Sequence, residues 1–311
     1  MREITKLNRR RFLGSGAAAM LTAATGGILG TSGCCTQSSA KSKKKVFVGG
    51  HPWVYAATQP NYDIYPVLDQ IFADMRYAGL DGIELMHMAL RYPNAVERIS
   101  ALSKKYDLPI IGTSFGGAMW DRTKHEAVFE DARIVVTRLA KLGGRTFGTS
   151  VGRVPKTKTA AQLDAQAELL RRIMKLCNDN GVVLNLHNHT YEVENDMHDL
   201  KGTLERIPEV KLGPDLNWLV RGGVDPVDFI ETYSESIVFL HLRDQNADGT
   251  WSEAMGEGDM DYVAIGQALR AAGFSGDAVI ELAHERNFKP TRPLRDSLKM
   301  SRAYVRKTLG F

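Results

Sequence analysis

Four residues whose side chains commonly bind metal ions stand at the ends of successive predicted strands in the C-terminal half of the chain. They are His187 in VVLNLHNHTYE, Asp215 in VKLGPDLNW, His241 in SIVFLHLRD and Glu281 in DAVIELAHE. In a parallel βα barrel all strands end on one face, so we expect these side chains to meet there. Two imidazoles and two carboxylates suit one divalent ion such as Mn, Co, Zn or Fe better than Ca.

Two of these positions are also candidates for catalysis. Glu281 follows Val279-Ile280 inside an apolar strand, where a glutamate is costly to bury unless it is paired or bound to a metal. We therefore expect Glu281 to be a ligand, a catalytic base, or both. His241 ends a strand that should be fully buried, and we expect it to be a ligand that takes part in catalysis. Glu84 in Gly-Ile-Glu-Leu is a similar exception on strand two, where it either orients substrate or supports another site residue.

His187 and His189 form a His-x-His pair at the end of strand five. If the strand continues, its period of two places both side chains on the inner face. His189 is then either a ligand or a contact to substrate. Glu192, expected in the following loop, assists or replaces a catalytic group, and simple solvation is the alternative for it.

Further residues after the strands are expected to bind substrate. The residues Leu-Asn-Trp after Asp215 do not show the pattern of an immediate helix start. This favours Asp215 as a metal ligand over Asp215 as a helix cap. Trp218 is expected to form an apolar wall for a sugar ring, with core packing as the alternative. Substrate contacts are also expected for the following residues: His51, Trp120 and Arg243.

Strand and helix patterns alternate along the chain, which predicts an α/β fold built as a (β/α)8 TIM barrel. The eight predicted strands are 45–49, 82–86, 109–113, 145–149, 182–186, 210–213, 237–241 and 278–282. The predicted helices are 65–78, 95–106, 126–142, 160–178, 200–207, 226–233, 262–272 and 294–309. An open doubly wound sheet is the alternative, but no glycine-rich phosphate loop follows strand one.

The first 44 residues are expected to lie outside this domain. Arg9-Arg10-Arg11-Phe12-Leu13 precedes an apolar run of small residues, which predicts a twin-arginine export signal over residues 1–34. Gly33-Cys34 resembles a lipoprotein cleavage site that would leave Cys34 lipidated. Residues 35–44 are predicted to be a flexible tether and 45–311 one catalytic domain. The protein is thus expected to be periplasmic or anchored to a membrane by its lipid.

The formal charge of +4 hides an uneven distribution of charge. Residues 1–45 hold nine Lys or Arg and one acidic residue, whereas the remainder holds 31 basic and 35 acidic residues. An acidic domain opposes nucleic acid as a partner. The remaining partners are a small-molecule sugar, a membrane reached through the lipid anchor, and a second copy of the chain, for which Trp120 and Trp251 offer contacts.

Several motifs occur together in a familiar order. They are HNHxxE at 187–192, DxxW at 215–218, GxDP at 223–226, FLHLRD at 239–244, GEGD at 256–259 and VIE at 279–281. As a set, over residues 45–310, they resemble the xylose-isomerase-like barrel family, often labelled sugar phosphate isomerase/epimerase. The resemblance implies a TIM barrel that holds one divalent ion with four ligands at these strand ends.

One position departs from part of this family. In the tagatose and psicose 3-epimerases the strand-five ligand is a glutamate, which works with the strand-eight glutamate as a pair of bases. The matching position here is His187, and a histidine there resembles the inosose dehydratases. A histidine in place of this glutamate opposes epimerisation by a symmetric pair of glutamates. In addition, no cluster of basic residues marks a phosphate site.

These features predict a metal-dependent sugar isomerase or epimerase. Glu281 would remove a proton α to a carbonyl while the ion stabilises the enediolate. A lyase that eliminates a β-substituent from a keto sugar or 3-keto-glycoside shares this intermediate and is the first alternative. An exported sugar-binding lipoprotein is the second. Metal-dependent phosphodiester cleavage is opposed by the net charge.

Overall fold

The computed structural model describes residues 45–311, and eight short strands form one parallel sheet at their centre. The strands are β1 Val48–Gly50, β2 Ile83–Met86, β3 Ile110–Gly116, β4 Thr146–Ser150, β5 Val183–Leu186, β6 Lys211–Leu212, β7 Phe239–Leu242 and β8 Asp277–Ile280. They pair in the order β6-β5-β4-β3-β2-β1-β8-β7. Parallel bridges from Leu212 to Ile237 and from Asp215 to His241 join β6 to β7. The predicted TIM barrel is confirmed, and the open doubly wound sheet is wrong.

Helices surround the barrel. They are α1 Trp53–Ala56, α2 Leu68–Tyr77, α3 His87–Leu90, α4 Ala95–Tyr106, α5 His125–Lys141, α6 Ala160–Asp179, α7 Thr190–Arg206, α8 Leu216–Arg221, α9 Pro226–Tyr233, α10 Tyr262–Ala271 and α11 Leu294–Leu309. Short 3-10 turns lie at Pro60–Tyr62, Tyr65–Val67 and Arg122–Lys124. All eight predicted helices are present. The sequence missed α1, α3 and α8, and it placed the start of α7 ten residues too late.

Helix α7 is interrupted, which explains why its first turn was missed. Glu194 is extended, and Asn195, Asp196 and Met197 have left-handed backbone angles. The apolar periodicity is therefore broken in the middle of the segment. Only the half after the break shows the helical pattern that the sequence analysis recognised.

Helix α6 shows how local signals and burial act together. Thr159 and Gln162 form a capping box that satisfies free N–H groups at its start. Its buried face includes Leu163, Leu170 and Cys177. Cys177 is a core thiol, and burial raises its pKa to about 12, which keeps the thiol protonated and inert.

The barrel interior has an apolar base beneath its polar rim. Ile111, Phe239 and Val279 pack together inside the sheet, each fully buried. Because side chains alternate along a strand, the next inward residues after Phe239 and Val279 are His241 and Glu281. The apolar layer thereby supports the polar groups at the carboxyl ends of the strands.

Within residues 45–311, no helix has both the length and the apolar character that crossing a membrane requires. The predicted export signal, the lipidated Cys34 and the tether lie outside the described residues. They remain predictions.

Candidate metal and catalytic site

Three of the four predicted ligands converge at the carboxyl end of the barrel. His187, Asp215 and His241 each offer a ligand atom within 4.8 Å of the others. The Nδ1 atoms of His187 and His241 are 2.6 Å apart. Asp215 and His241 are fully buried, and His187 is partly exposed. These residues come from the ends of β5, β6 and β7, as the strand-end pattern predicted.

Glu84 orients His241 from the opposite side of the barrel. Its Oε2 lies 2.5 Å from Nε2 of His241, and both side chains are fully buried. A histidine that binds a metal commonly donates its other ring N–H to a carboxylate, which fixes the ring and its tautomer. Of the two roles considered for Glu84, this geometry supports the second, in which it holds another site residue. Its substrate contact stays a prediction.

The pKa values of the two histidines are shifted in opposite directions. Burial lowers the pKa of His241, but the charge of Glu84 and the hydrogen bond to it outweigh burial and raise that pKa to about 9. Burial and the neighbouring His241 lower the pKa of His187 well below its ordinary value. The difference arises because Glu84 contacts His241.

The two carboxylate oxygens of Asp215 have different contacts. Its Oδ1 accepts hydrogen bonds from the backbone N–H groups of Asn217 and Trp218, both at 3.0 Å, and so caps α8. The expectation that no helix starts directly after Asp215 was wrong, because this cap supplies the missing start signal. Its Oδ2 makes no hydrogen bond within residues 45–311 and lies 2.7 Å from Nη2 of Arg243. Capping and metal binding are compatible at this residue.

Arg243 pairs with two of the predicted ligands. Its Nη2 lies 2.7 Å from Asp215 Oδ2 and 2.7 Å from Glu281 Oε1, and the side chain is only 3% exposed. The approach to Asp215 is an ion pair without the direction of a hydrogen bond. Arg243 was expected to contact substrate, whereas the structure shows it between two carboxylates.

Glu281 lies beside the three converging residues but is not one of the group whose ligand atoms lie within 4.8 Å of one another. Its Oε2 is 4.0 Å from His241 Nε2, and its Oε1 is paired with Arg243. Burial raises the pKa of Glu281, but the charges of Arg243, His51 and His241 outweigh it and lower the pKa to about 2. Glu281 is therefore an ionised carboxylate next to the site. Its predicted roles as base and fourth ligand stay predictions.

His51 forms the wall of the site on the side of β1. Its Nδ1 is 3.4 Å from Glu281 Oε1, and its Nε2 is 3.0 Å from Ser114 Oγ. Burial lowers the pKa of His51. The sequence placed His51 near the pocket but missed Ser114, because predicted strand three ended one residue before it.

His189 and Glu192 belong to the start of α7, so the expected loop at Glu192 was wrong. Glu192 is buried, and its Oε2 accepts the backbone N–H of His189 at 2.7 Å. Its Oε1 accepts hydrogen bonds from the Ser150 hydroxyl at 3.0 Å and from the backbone N–H of Val151 at 3.2 Å. Three hydrogen bonds hold this carboxylate as part of a capping box. Its catalytic role stays a prediction.

His189 reaches the site although β5 ends before it. Its ring lies 4.9 Å from that of His187 and 5.7 Å from that of Trp218, between centroids. Its Nδ1 has no hydrogen-bond partner among the described residues. Trp218 is half-buried on α8, with the Arg243 guanidinium 5.4 Å from its ring centroid. The substrate contacts predicted for His189 and Trp218 stay predictions.

Two further tryptophans, Trp251 and Trp120, lie on loops that follow strands of the barrel. Trp251, after β7, is perpendicular to Trp218 with centroids 5.8 Å apart, and Arg221 lies over its ring. Trp120, on the loop after β3, is half-buried, and its Nε1 has no partner within residues 45–311. The substrate contact expected of Trp120 stays a prediction.

The donor set fits a divalent ion of the borderline class. Two imidazole nitrogens, Nδ1 of His187 and Nδ1 of His241, lie 2.6 Å apart. The buried Asp215 beside them supplies a carboxylate, whose Oδ2 is next to Arg243 Nη2. Nitrogen and carboxylate donors together suit Zn, Mn, Co or Fe. The chemistry of the site does not choose among these metals.

Comparison with known proteins agrees with the fold. Residues 72–304 match the family model described as xylose isomerase-like TIM barrel. The inosose dehydratase of Geobacillus kaustophilus (strain HTA426) is 22% identical over 196 residues, which are 58% of this chain and 63% of that protein. The alignment thus spans less than two thirds of that relative's length.

Two solved structures show the same fold at low sequence identity. D-allulose 3-epimerase from Methylomonas sp. is 17% identical with a TM-score of 0.70, over 86% of this chain and 99% of that one. The 3-keto-D-glucoside 4-epimerase from E. coli is 18% identical with a TM-score of 0.65, over 83% and 100% of the two chains. Since the family model covers most of the chain, this protein belongs to the xylose isomerase-like TIM barrel family.

Proposed function

We propose that this protein is a metal-dependent enzyme that moves a proton next to the carbonyl group of a sugar. The observation that carries the proposal is the convergence of His187, Asp215 and His241 within 4.8 Å, with the ionised Glu281 beside them. A set of ligands next to an ionised carboxylate is what enolisation of a carbonyl compound requires. A bound divalent ion would supply Lewis-acid polarisation of the carbonyl oxygen.

Each residue has a role that follows from its contacts. His187, Asp215 and His241 would hold the ion, and Glu84 would keep His241 in the ligand orientation. Glu281 would accept the proton from the carbon next to the carbonyl. Its low pKa makes it a weak base, so the carbon acid must first be activated by polarisation of the carbonyl. His189 and Trp218 line the side from which a sugar would enter.

The fate of the abstracted proton separates the candidate reactions. Return of the proton to the other face of the same carbon gives an epimer, and return to the neighbouring carbon gives an isomer. We propose an isomerase or epimerase, in agreement with the two epimerases that share the fold.

A lyase is the second candidate, and one observation favours it. Epimerisation by two carboxylates would need a partner for Glu281, and Glu192 is held by three hydrogen bonds away from that role. Elimination of a β-substituent needs only one base and a proton donor for the leaving group. The inosose dehydratase to which this chain is 22% identical is named for an elimination, which agrees with this alternative.

We also propose that the substrate is a free or glycosidic sugar and that the protein works outside the cytoplasm, in the periplasm or on a lipid anchor. The twin-arginine pattern at Arg9-Arg10-Arg11 supports export, and sugar phosphates are rare outside the cytoplasm. A sugar-binding lipoprotein without turnover is the competing proposal. It gives no reason for buried charges to converge, since binding a neutral sugar does not require them.

The test is proton NMR of the purified protein in deuterated water, with Mn and after demetallation, using a 3-keto-glucoside and then free ketoses. We expect deuterium uptake at the carbon next to the ketone only when metal is present. Retention of the aglycone would then indicate an isomerase or epimerase, and its release a lyase. Absence of exchange in every substrate, with metal bound, would refute the enzyme and favour the binding protein.

A further inference from the structure

We infer that Arg243 and the divalent ion compete for one carboxylate oxygen, Oδ2 of Asp215, so that binding of the ion releases Arg243 towards the substrate. The inference rests on the metal site proposed above and goes beyond it. A single nitrogen, Nη2 of Arg243, lies 2.7 Å from both Asp215 Oδ2 and Glu281 Oε1. One cation therefore already bridges two carboxylates that the sequence marks as ligands.

Asp215 has only one oxygen to offer. Its Oδ1 accepts two backbone N–H groups of α8, and breaking those bonds would uncap the helix. Its Oδ2, the oxygen that α8 does not use, is the atom paired with Arg243. An ion held by His187, His241 and Asp215 must use this oxygen, so Arg243 must give it up or share it.

Sharing would be unfavourable because both competitors are positive. A guanidinium keeps its charge at every accessible pH, and Arg243 is only 3% exposed. Two cations a few ångströms apart in a buried site repel strongly. Displacement of Arg243 relieves this repulsion and frees its N–H donors.

The space next to Arg243 decides what the released guanidinium can bind. Its guanidinium carbon lies 5.4 Å from the ring centroid of Trp218, a half-buried residue that we expect to contact the sugar. Hydroxyl and carbonyl oxygens of a sugar are acceptors that these donors fit. Arg243 would thereby bind substrate, as the sequence predicted, only once the ion has taken its place on Asp215.

The experiment measures metal affinity by competition with a chelator, starting from Co-loaded protein whose visible absorption reports the bound ion. We expect Arg243→Met to bind Co at least about tenfold more tightly than the wild type, because a competing charge is gone. Arg243→Lys keeps the charge and should stay close to the wild type. Arg221→Met removes a nearby cation that does not contact the acids, and it should leave the affinity unchanged.

A second readout guards against an unstable variant. Without metal, Arg243→Met leaves two buried acids unpaired and should unfold at a lower temperature than the wild type. Addition of Co should raise its melting temperature more than that of the wild type. Equal or weaker Co affinity of Arg243→Met, or equal tightening in Arg243→Lys, would overturn the inference. If the wild type binds no Co at all, the metal site itself is wrong, and that outcome is distinct.

Discussion

Glu84 Oε2 lies 2.5 Å from Nε2 of His241, across the interior of the barrel from β2 to β7. The opposite nitrogen of the same ring lies 2.6 Å from His187. A carboxylate behind a ligand histidine makes that histidine a better ligand and fixes the nitrogen it presents. Two strands that are far apart in sequence, β2 and β7, thus supply a histidine and the carboxylate that orients it.

Replacing Glu84 by Gln should weaken metal binding. The amide keeps the size of the side chain but removes the charge that holds the Nε2 proton of His241. We expect the affinity for Co or Zn to fall about 10- to 100-fold, measured by competition with a chelator. Glu97→Gln, an exposed substitution on α4, is the matched control. Equal affinities of the two variants would show that Glu84 does not act through the ion.

Replacing Glu281 by Gln should abolish proton exchange and keep the metal. Glu281 lies outside the set of three converging ligands, and its carboxylate is the base in the proposed reaction. We expect deuterium uptake to fall by about 10²- to 10⁴-fold, while metal content stays near that of the wild type. Glu285→Gln, an exposed substitution on the same loop, controls for local effects. Loss of the metal would instead make Glu281 the fourth ligand that the sequence predicted.

A buried ion pair beside the site should be important for stability. Lys158 Nζ lies 2.5 Å from Asp199 Oδ2, and the two side chains are 2% and 7% exposed. Lys158→Met leaves Asp199 charged and unpaired, so we expect the free energy of unfolding to fall by about 3–5 kcal/mol. The measurement is urea denaturation followed by circular dichroism.

The exposed pair Lys175–Asp179 gives the control for this prediction. Lys175→Met should cost less than about 1 kcal/mol, because water screens that pair. The double variant of Lys158→Met with Asp199→Asn should be more stable than Lys158→Met alone. Similar losses in Lys158→Met and Lys175→Met would contradict the role assigned to burial.

His87 should make the protein sensitive to mild acid. Burial, with a smaller effect of Arg91, lowers the pKa of this half-buried histidine from 6.5 to about 4. A lowered folded-state pKa gives stability that is present above pH 6.5 and is lost as the pH falls through about 4, because the unfolded chain binds the proton first. The loss attributable to His87 is at most about 3 kcal/mol.

The test compares urea midpoints of wild type and His87→Leu between pH 7 and pH 4. The wild type should lose more stability over this range than the variant, since leucine takes up no proton. Parallel curves would mean that the pKa of His87 is the same in the folded and unfolded chains.

The order of the strands and helices could be predicted from the sequence, because local rules govern it. Alternating strand and helix patterns predicted eight βα units, and the strand ends placed His187, Asp215 and His241 on one face. Both follow from periodicity and from the common direction of parallel strands.

Only the tertiary structure decided which of these groups pair. Glu281 meets Arg243, Glu84 meets His241, and Glu192 closes a capping box with the backbone of His189. These partners depend on the register of the strands and on how deep each side chain lies in the barrel, which no local pattern encodes. The sequence determined which residues reach the carboxyl end of the barrel, whereas packing across its interior decided which are free for chemistry and which are held.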